Sequence, residues 1–195
     1  FQYSIYICGQ MKTQLIMKNL LTLFTLLLAL NAFTQQGADL FFSEYIEGSS
    51  NNKAIEIFNP TPNPVNLSDY LVLRDNNGST TNTDTLNPSG TLAPGGVFRI
   101  ANPSADSVLL ARADITSTIT FFNGDDALRL VNQSTGQLID VFGRLGEDPG
   151  SSWPITGENG VNGATSNNTL VRSPWVQIGD TSWTVVQGQW YVYPI

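Results

Sequence analysis

Turn-forming residues interrupt this chain so often that no long element of secondary structure fits after residue 37. Seventeen glycines and ten prolines, with abundant Asn, Ser and Thr, separate short apolar runs. That pattern favours many short strands over long helices. Leu40 to Ile46 reads as a first strand and Ala54 to Phe58 as a second, joined by the polar loop Glu47-Gly-Ser-Ser-Asn-Asn-Lys53. After the turn Asn59 to Pro64, strands are expected at Tyr70 to Arg74, Val97 to Ala101, Thr118 to Phe122, Ala127 to Val131, Gln137 to Phe142 and Thr169 to Arg172. Asn123-Gly-Asp-Asp126, set between two apolar runs, carries the strongest local hairpin signal in the chain. Asp75 to Asp84 is a polar loop, and Gly143 to Asn168 is expected to loop over the surface. Leu71 and Leu73 face one way and Val72 and Arg74 the other, while Leu128 and Leu130 oppose Arg129. Period-two patterning with one polar side fits antiparallel sheets whose second face meets water. The pattern as a whole predicts an all-β sandwich of about 100–120 residues.

The N-terminal region reads differently. Met11 to Lys18 is basic, Asn19 to Leu30 is dominated by leucine, and Ala32-Phe-Thr34 supplies small residues before a cleavage point. That order is a secretory signal peptide over 11–34, expected as a helix and too short for a membrane span of about 20 residues. No transmembrane span is expected once it is removed. Residues 1–10 precede the first methionine and read as translation from upstream of the true start. Cys8, the only cysteine, falls there, so the exported part has no thiol and no disulfide. Loss of Lys12 and Lys18 moves the net charge from −7 to −9. A field of that sign repels phosphate backbones, so no nucleic acid is expected on this domain alone. The expected location is secreted or on the cell surface.

Several ordered fragments carry a resemblance. Ser43-Glu-Tyr-Ile-Glu-Gly-Ser-Ser-Asn-Asn-Lys-Ala-Ile-Glu-Ile-Phe-Asn-Pro60 is followed by Val65-Asn-Leu-Ser-Asp-Tyr70, Thr91-Leu-Ala-Pro-Gly-Gly96, Phe122-Asn-Gly-Asp-Asp-Ala-Leu128, Ile139-Asp-Val-Phe-Gly143, Asp148-Pro-Gly150 and Thr169-Leu-Val-Arg172. Together these resemble the lamin-tail domain of secreted bacterial proteins, over about Ala38 to Arg172. The motif positions are Glu44, Ser49, Asn51, Asn52, Glu56, Asn59, Asn123, Gly124, Asp125, Asp126, Asp148, Pro149 and Gly150. The resemblance implies an immunoglobulin-like antiparallel β-sandwich over 38–195. Similar bacterial proteins run on from a tryptophan and Tyr-Pro to a glycine-histidine step, whereas Trp190-Tyr-Val-Tyr-Pro-Ile195 stops before it. A truncated domain end is therefore expected. The resemblance also implies a module that accompanies extracellular nucleases, phosphatases or other hydrolases and attaches them to surfaces or partners.

The residue inventory restricts chemistry. With no histidine and no exported cysteine, Ser-His-Asp and Cys-His arrangements and His-based zinc sites are excluded. No phosphate-cradling Gly-rich loop followed by Lys and Ser/Thr occurs. Carboxylate pairs remain: Glu44 with Glu47, and Asp125 with Asp126. Hydrolysis of a glycoside needs two carboxylates about 5–10 Å apart across a substrate, and neighbours at a turn point apart. No catalytic residue is therefore expected in this segment, and no cofactor, with calcium the one candidate on the oxygen-rich positions Asp75, Asp84, Asp125 and Asp126. Glu56, in an apolar strand, is expected to be a structural acid held by an arginine or by backbone N–H groups. Tyr45, Trp153 and the late tryptophans are expected to pack in the core and its rim, with a contact platform as the alternative. The expected function is a non-catalytic exported accessory or adhesion module that binds a protein or cell-surface component. The rival readings are the N-terminal portion of a secreted nuclease- or phosphatase-type hydrolase with its active site after residue 195, and a free-standing structural surface protein.

Overall fold

The computed structural model describes residues 38–195; the expected signal peptide and the ten residues before it lie outside the described residues. The strands, in chain order, are β1 (Phe41–Glu47), β2 (Lys53–Phe58), β3 (Val65–Asn66), β4 (Tyr70–Asp75), β5 (Asp84–Leu86), β6 (Thr91–Leu92) and β7 (Val97–Ala101). They continue as β8 (Ile115–Thr116), β9 (Ala127–Asn132), β10 (Leu138–Phe142), β11 (Pro154–Thr156), β12 (Asn162–Ala164), β13 (Asn168–Arg172) and β14 (Trp190–Pro194). A six-stranded sheet runs β14-β13-β1-β2-β7-β8 and a four-stranded sheet β10-β9-β4-β5. All neighbours are antiparallel except β7 and β8. This is the all-β sandwich that the strand pattern predicts, with the immunoglobulin-like architecture that the resemblance implies.

The two sheets enclose one apolar core. From the larger sheet come Phe42, Tyr45, Ile55, Ile57, Ile100, Leu170, Trp190 and Val192; from the smaller, Tyr70, Val72, Leu128, Leu130 and Phe142. Phe42 and Tyr45 are three residues apart, yet both point inward. A register shift between Phe42 and Glu44 reconciles them, because a bulge at Ser43 resets the alternation. Tyr45 stacks between Phe122 and Phe142, with ring centroids 4.6 and 3.9 Å away. Trp153, Trp183 and Trp190 are buried, as the core reading requires, whereas Trp175 is 81% exposed.

Three expectations need correction. Thr118 to Phe122 is not a strand, and Asn123 to Asp126 does not close a hairpin with β9. Ser117 Oγ accepts the Ile119 N–H and starts a 3-10 turn at Thr118–Thr120. The carbonyls of Phe121 and Phe122 accept from Arg74 Nη1 and Lys53 Nζ, each at 2.6 Å, in place of a ladder partner. The chain therefore crosses between the sheets here, and β9 pairs with β4 and β10. Gly143 to Asn168 is also more than a surface loop. It holds the β11–β12 hairpin and buries Trp153, Ile155 and Thr165. In β4 the polar side is the inner one: Val72 and Arg74 are buried and Leu71 and Leu73 half-buried. Arg74 tolerates the interior because Phe121 O, Asp84 and Asp126 surround its guanidinium.

Two short helices escape a periodicity argument because each is a single turn: α1 (Ser107–Leu110) and α2 (Trp183–Val186). Asp106 caps α1 by accepting the N–H groups of Val108 and Leu109, each at 3.0 Å. The outer edge of β14 is closed by Asn159, which donates to Val192 O at 2.8 Å and accepts from Val192 N at 3.2 Å. An edge strand satisfied this way does not recruit another strand.

Candidate functional site

The Glu47 to Lys53 loop and the Asn123 to Asp126 turn meet at one end of the sandwich. Lys53 donates to Glu47 Oε1 at 3.0 Å, Phe122 O at 2.6 Å and Asn123 Oδ1 at 3.4 Å. An ammonium has three donors, so this lysine is saturated. Glu47 uses its second oxygen to accept the Asn167 N–H at 2.8 Å. Asp126 accepts the N–H groups of Asn77 and Asn123, and its buried position raises its pKa against the lowering influence of those bonds and of Arg74. A polar hollow of about 230 Å³ opens beside this end, lined by Ser50, Asn51, Asn102, Ser104 and Asn123. Its one charged group, Lys53, has no donor left for a ligand.

Three of the four carboxylates considered for calcium are engaged by partners within the chain. Asp75 is held by Arg129 through two bonds of 2.7 Å. Asp84 accepts from Thr85 N and Thr118 Oγ1. Asp125 has a buried Oδ1 without a hydrogen-bond partner. Among the described residues no group of three or more Asp, Glu, His or Cys side chains is placed to hold a metal ion. The candidate catalytic pair Glu44 and Glu47 does not converge. Along β1, Glu44 points outward and Glu47 lies at the inner polar end, since strand residues alternate.

The outer face of the six-stranded sheet is different in kind. Strand registers align Tyr191, Val171, Glu44, Glu56 and Arg99 in one row across five strands. The next row holds Tyr193, Thr169, Ile46, Ala54 and Ala101. Glu56 is the structural acid expected: Arg99 Nε donates to it at 3.0 Å and Ser43 Oγ at 2.8 Å. Glu44, directly opposite, takes part in no hydrogen bond or ion pair among the described residues. Burial raises its carboxyl pKa first and Glu56 second, with Arg99 and Arg112 lowering it incompletely. Over this face, α1 and the residues after it form one wall of a slot of about 110 Å³. Its floor is Ile46, Ala54 and Ala101, its wall Leu109 and Ala113, and Glu44 and Arg112 line it as well.

The sequence profile of the Lamin Tail Domain matches residues 34–145. The chain belongs to that family. No curated protein matches it. The matched span of this lamin tail domain ends within the chain, and the residues after it supply β11 to β14, including β13, the second neighbour of β1.

Most motif positions of the lamin tail domain are joints of the scaffold. Asn59, fully buried, donates to the carbonyls of Asn63, Leu92 and Ala93 and accepts from Thr61. Asn52 accepts the Asp106 N–H and ties the loop to the start of α1, while Ser49 O accepts from Asn52 N and Asn51 O from Lys53 N. A Cβ at Gly124 would lie 2.6 Å from Ser166 Cβ, so only glycine allows that approach. Asp148 accepts the Gly150 N–H at 2.7 Å across Pro149, and Gly150 takes a positive φ of 92°. Glu44, like Asp125, makes none of these joints among the described residues. Sequence reasoning missed Arg112, Leu109 and Ala101 because no local pattern announces them.

Proposed function

We propose that this lamin tail domain is a non-catalytic accessory module of an exported protein and holds a partner protein or cell-surface component. The observation that supports it is the outer-face slot, an open apolar recess with one carboxylate, Glu44, that has no partner among the described residues. Its surroundings favour a protein or surface partner over nucleic acid. Six of the seven basic side chains among the described residues already form ion pairs with the chain's own acids. The remaining surface is dominated by carboxylates, and a phosphate backbone finds few free cations on it. Among the described residues hydrolysis lacks a convergent nucleophile and base, and the outward Glu44 faces a structural acid that Arg99 already holds. Export follows from the basic, leucine-rich, small-residue order of 11–34.

The test has two arms. The chain is expressed in a bacterial host and fractionated; a shortened product outside the cytoplasm is expected, and a full-length cytoplasmic product overturns export. The purified chain is then immobilised and presented with separated envelope proteins and envelope polysaccharides. Retention of a defined component supports the accessory role. Absence of retention from every fraction, or hydrolysis of nucleic acid or phosphate esters by the chain itself, overturns it.

A further inference from the structure

We infer that the outer-face slot receives a single basic side chain, lysine or arginine, presented by the partner protein, with the Glu44 carboxylate as its acceptor. This rests on the binding-module reading above and names what the module recognises.

Size comes first. A slot of about 110 Å³ is well below the ~300–1,000 Å³ of small-molecule pockets, and it suits one side chain. Shape and chemistry come next. Ile46, Ala54, Ala101 and Leu109 offer a carbon surface, and Glu44 lies beside it. Lysine and arginine have this composition in reverse: an apolar stem with a charge at its tip. A purely apolar side chain would leave Glu44 desolvated and unpaired, which is costly.

Charge decides the sign. The slot is lined by Glu44, Glu56, Arg99 and Arg112. Glu56 and Arg99 neutralise each other at 3.0 Å. The other two charges have unequal freedom. Arg112 is exposed, and its long side chain reaches water from the turn after α1. Glu44 stands in mid-strand on the sheet, half-buried, opposite another carboxylate. Burial first and Glu56 second raise the Glu44 pKa, and Arg99 and Arg112 offset them only in part. A cation entering the slot pairs with the Glu44 carboxylate, whereas an anion is repelled by it. The net charge of −9 on the exported part draws basic partners toward the same surface.

The probes are capped pentapeptides of glycine with one central residue: lysine, arginine, norleucine or glutamate. Each is titrated into the 15N-labelled full chain and followed by amide NMR. The lysine and arginine peptides are expected to shift the amides of Ile46, Ala54, Ala101 and Leu109. The norleucine peptide, which keeps the stem and lacks the charge, is expected to bind about tenfold or more weakly, the loss of one charge-assisted contact. Glu44→Gln should weaken lysine-peptide binding by a similar factor while leaving the rest of the spectrum in place. Arg112→Gln should leave binding equal or tighter.

Preference for the glutamate peptide, equal shifts from norleucine and lysine, unchanged binding in Glu44→Gln, or no shift at millimolar peptide each overturns the inference. The accessory role is read separately. Retention of an envelope component by Glu44→Gln as strong as by the parent chain removes the slot and spares the module. Peptide binding without any envelope retention spares the slot and removes the accessory role.

Discussion

Glu44 and Glu47 lie three residues apart on one strand and meet opposite fates. Glu47 sits at the closed end of the sandwich, where Lys53 and the Asn167 N–H occupy both its oxygens. Glu44 sits on the open face, opposite a like charge, with no partner among the described residues. Strand parity alone separates them. At the closed end Lys53 and Glu47 join segments far apart in sequence. On the open face the charge is left available, and the lesson is that a family signature mixes residues that hold the fold with one that faces outward. Substitutions should therefore fall into two classes, large losses of stability inside and small ones outside.

The strongest test of the inner class is the ion pair between Arg172 and Asp140. Both side chains are buried to within 2%. Asp140 accepts from two Arg172 nitrogens and from the N–H groups of Phe42 and Asp180, joining β13, β1 and the segment after β13 to β10. Arg172→Met leaves this carboxylate buried with half its partners and should cost about 3–5 kcal/mol in urea unfolding. Adding Asp140→Leu should recover only part of the loss, because the two N–H groups then lack an acceptor. Full recovery would show that the pair is no joint.

Lys53→Met comes next. It strands Glu47 and frees the carbonyl of Phe122, and a loss of about 3 kcal/mol is expected, at the lower end for a buried pair. Hydrogen exchange should accelerate selectively at Asn123 to Asp126. Uniform acceleration would mean that Lys53 does not hold that turn in particular.

These cases also show what the sequence can and cannot convey. Strands such as Val97–Ala101 are legible because alternation is local. The closed end is not, because its defining bonds join residues about 70 positions apart: Lys53 with Phe122 and Asn123. Asn123-Gly124 carries a hairpin signal, yet Lys53 and Arg74 capture the preceding carbonyls and override it. The bulge at Ser43 is invisible in the alternation of β1, and it decides that Tyr45 points in and Glu44 out. Glu56 was readable as a structural acid from its apolar strand alone. The slot was not, since its floor comes from β1, β2 and β7 and its wall from α1.

On the open face, breaking Glu56–Arg99 should matter little. Arg99 is 46% exposed, and pairs of this kind are worth about 0.2–1 kcal/mol. Arg99→Gln should fall in that range and shrink further with added salt. A loss as large as that of Lys53→Met would erase the distinction between the two regions.

Glu44→Gln is the smallest expected effect and the only one of favourable sign. The folded-state pKa of Glu44 is raised above the ordinary 4.5, chiefly by burial and then by Glu56. The folded chain therefore holds this proton more tightly than the unfolded chain does. Above the raised pKa the ionised carboxylate opposes folding; as pH falls the native state takes up the proton first, and the opposition is gone below about 4.5. Glu44→Gln should accordingly melt slightly higher than the parent chain at neutral pH, with the difference vanishing on acidification. Thermal unfolding across that range reads it directly. A variant that melts lower at neutral pH would mean that Glu44 has an internal cation, Arg112 being the candidate, and the open face would then be as self-satisfied as the closed end.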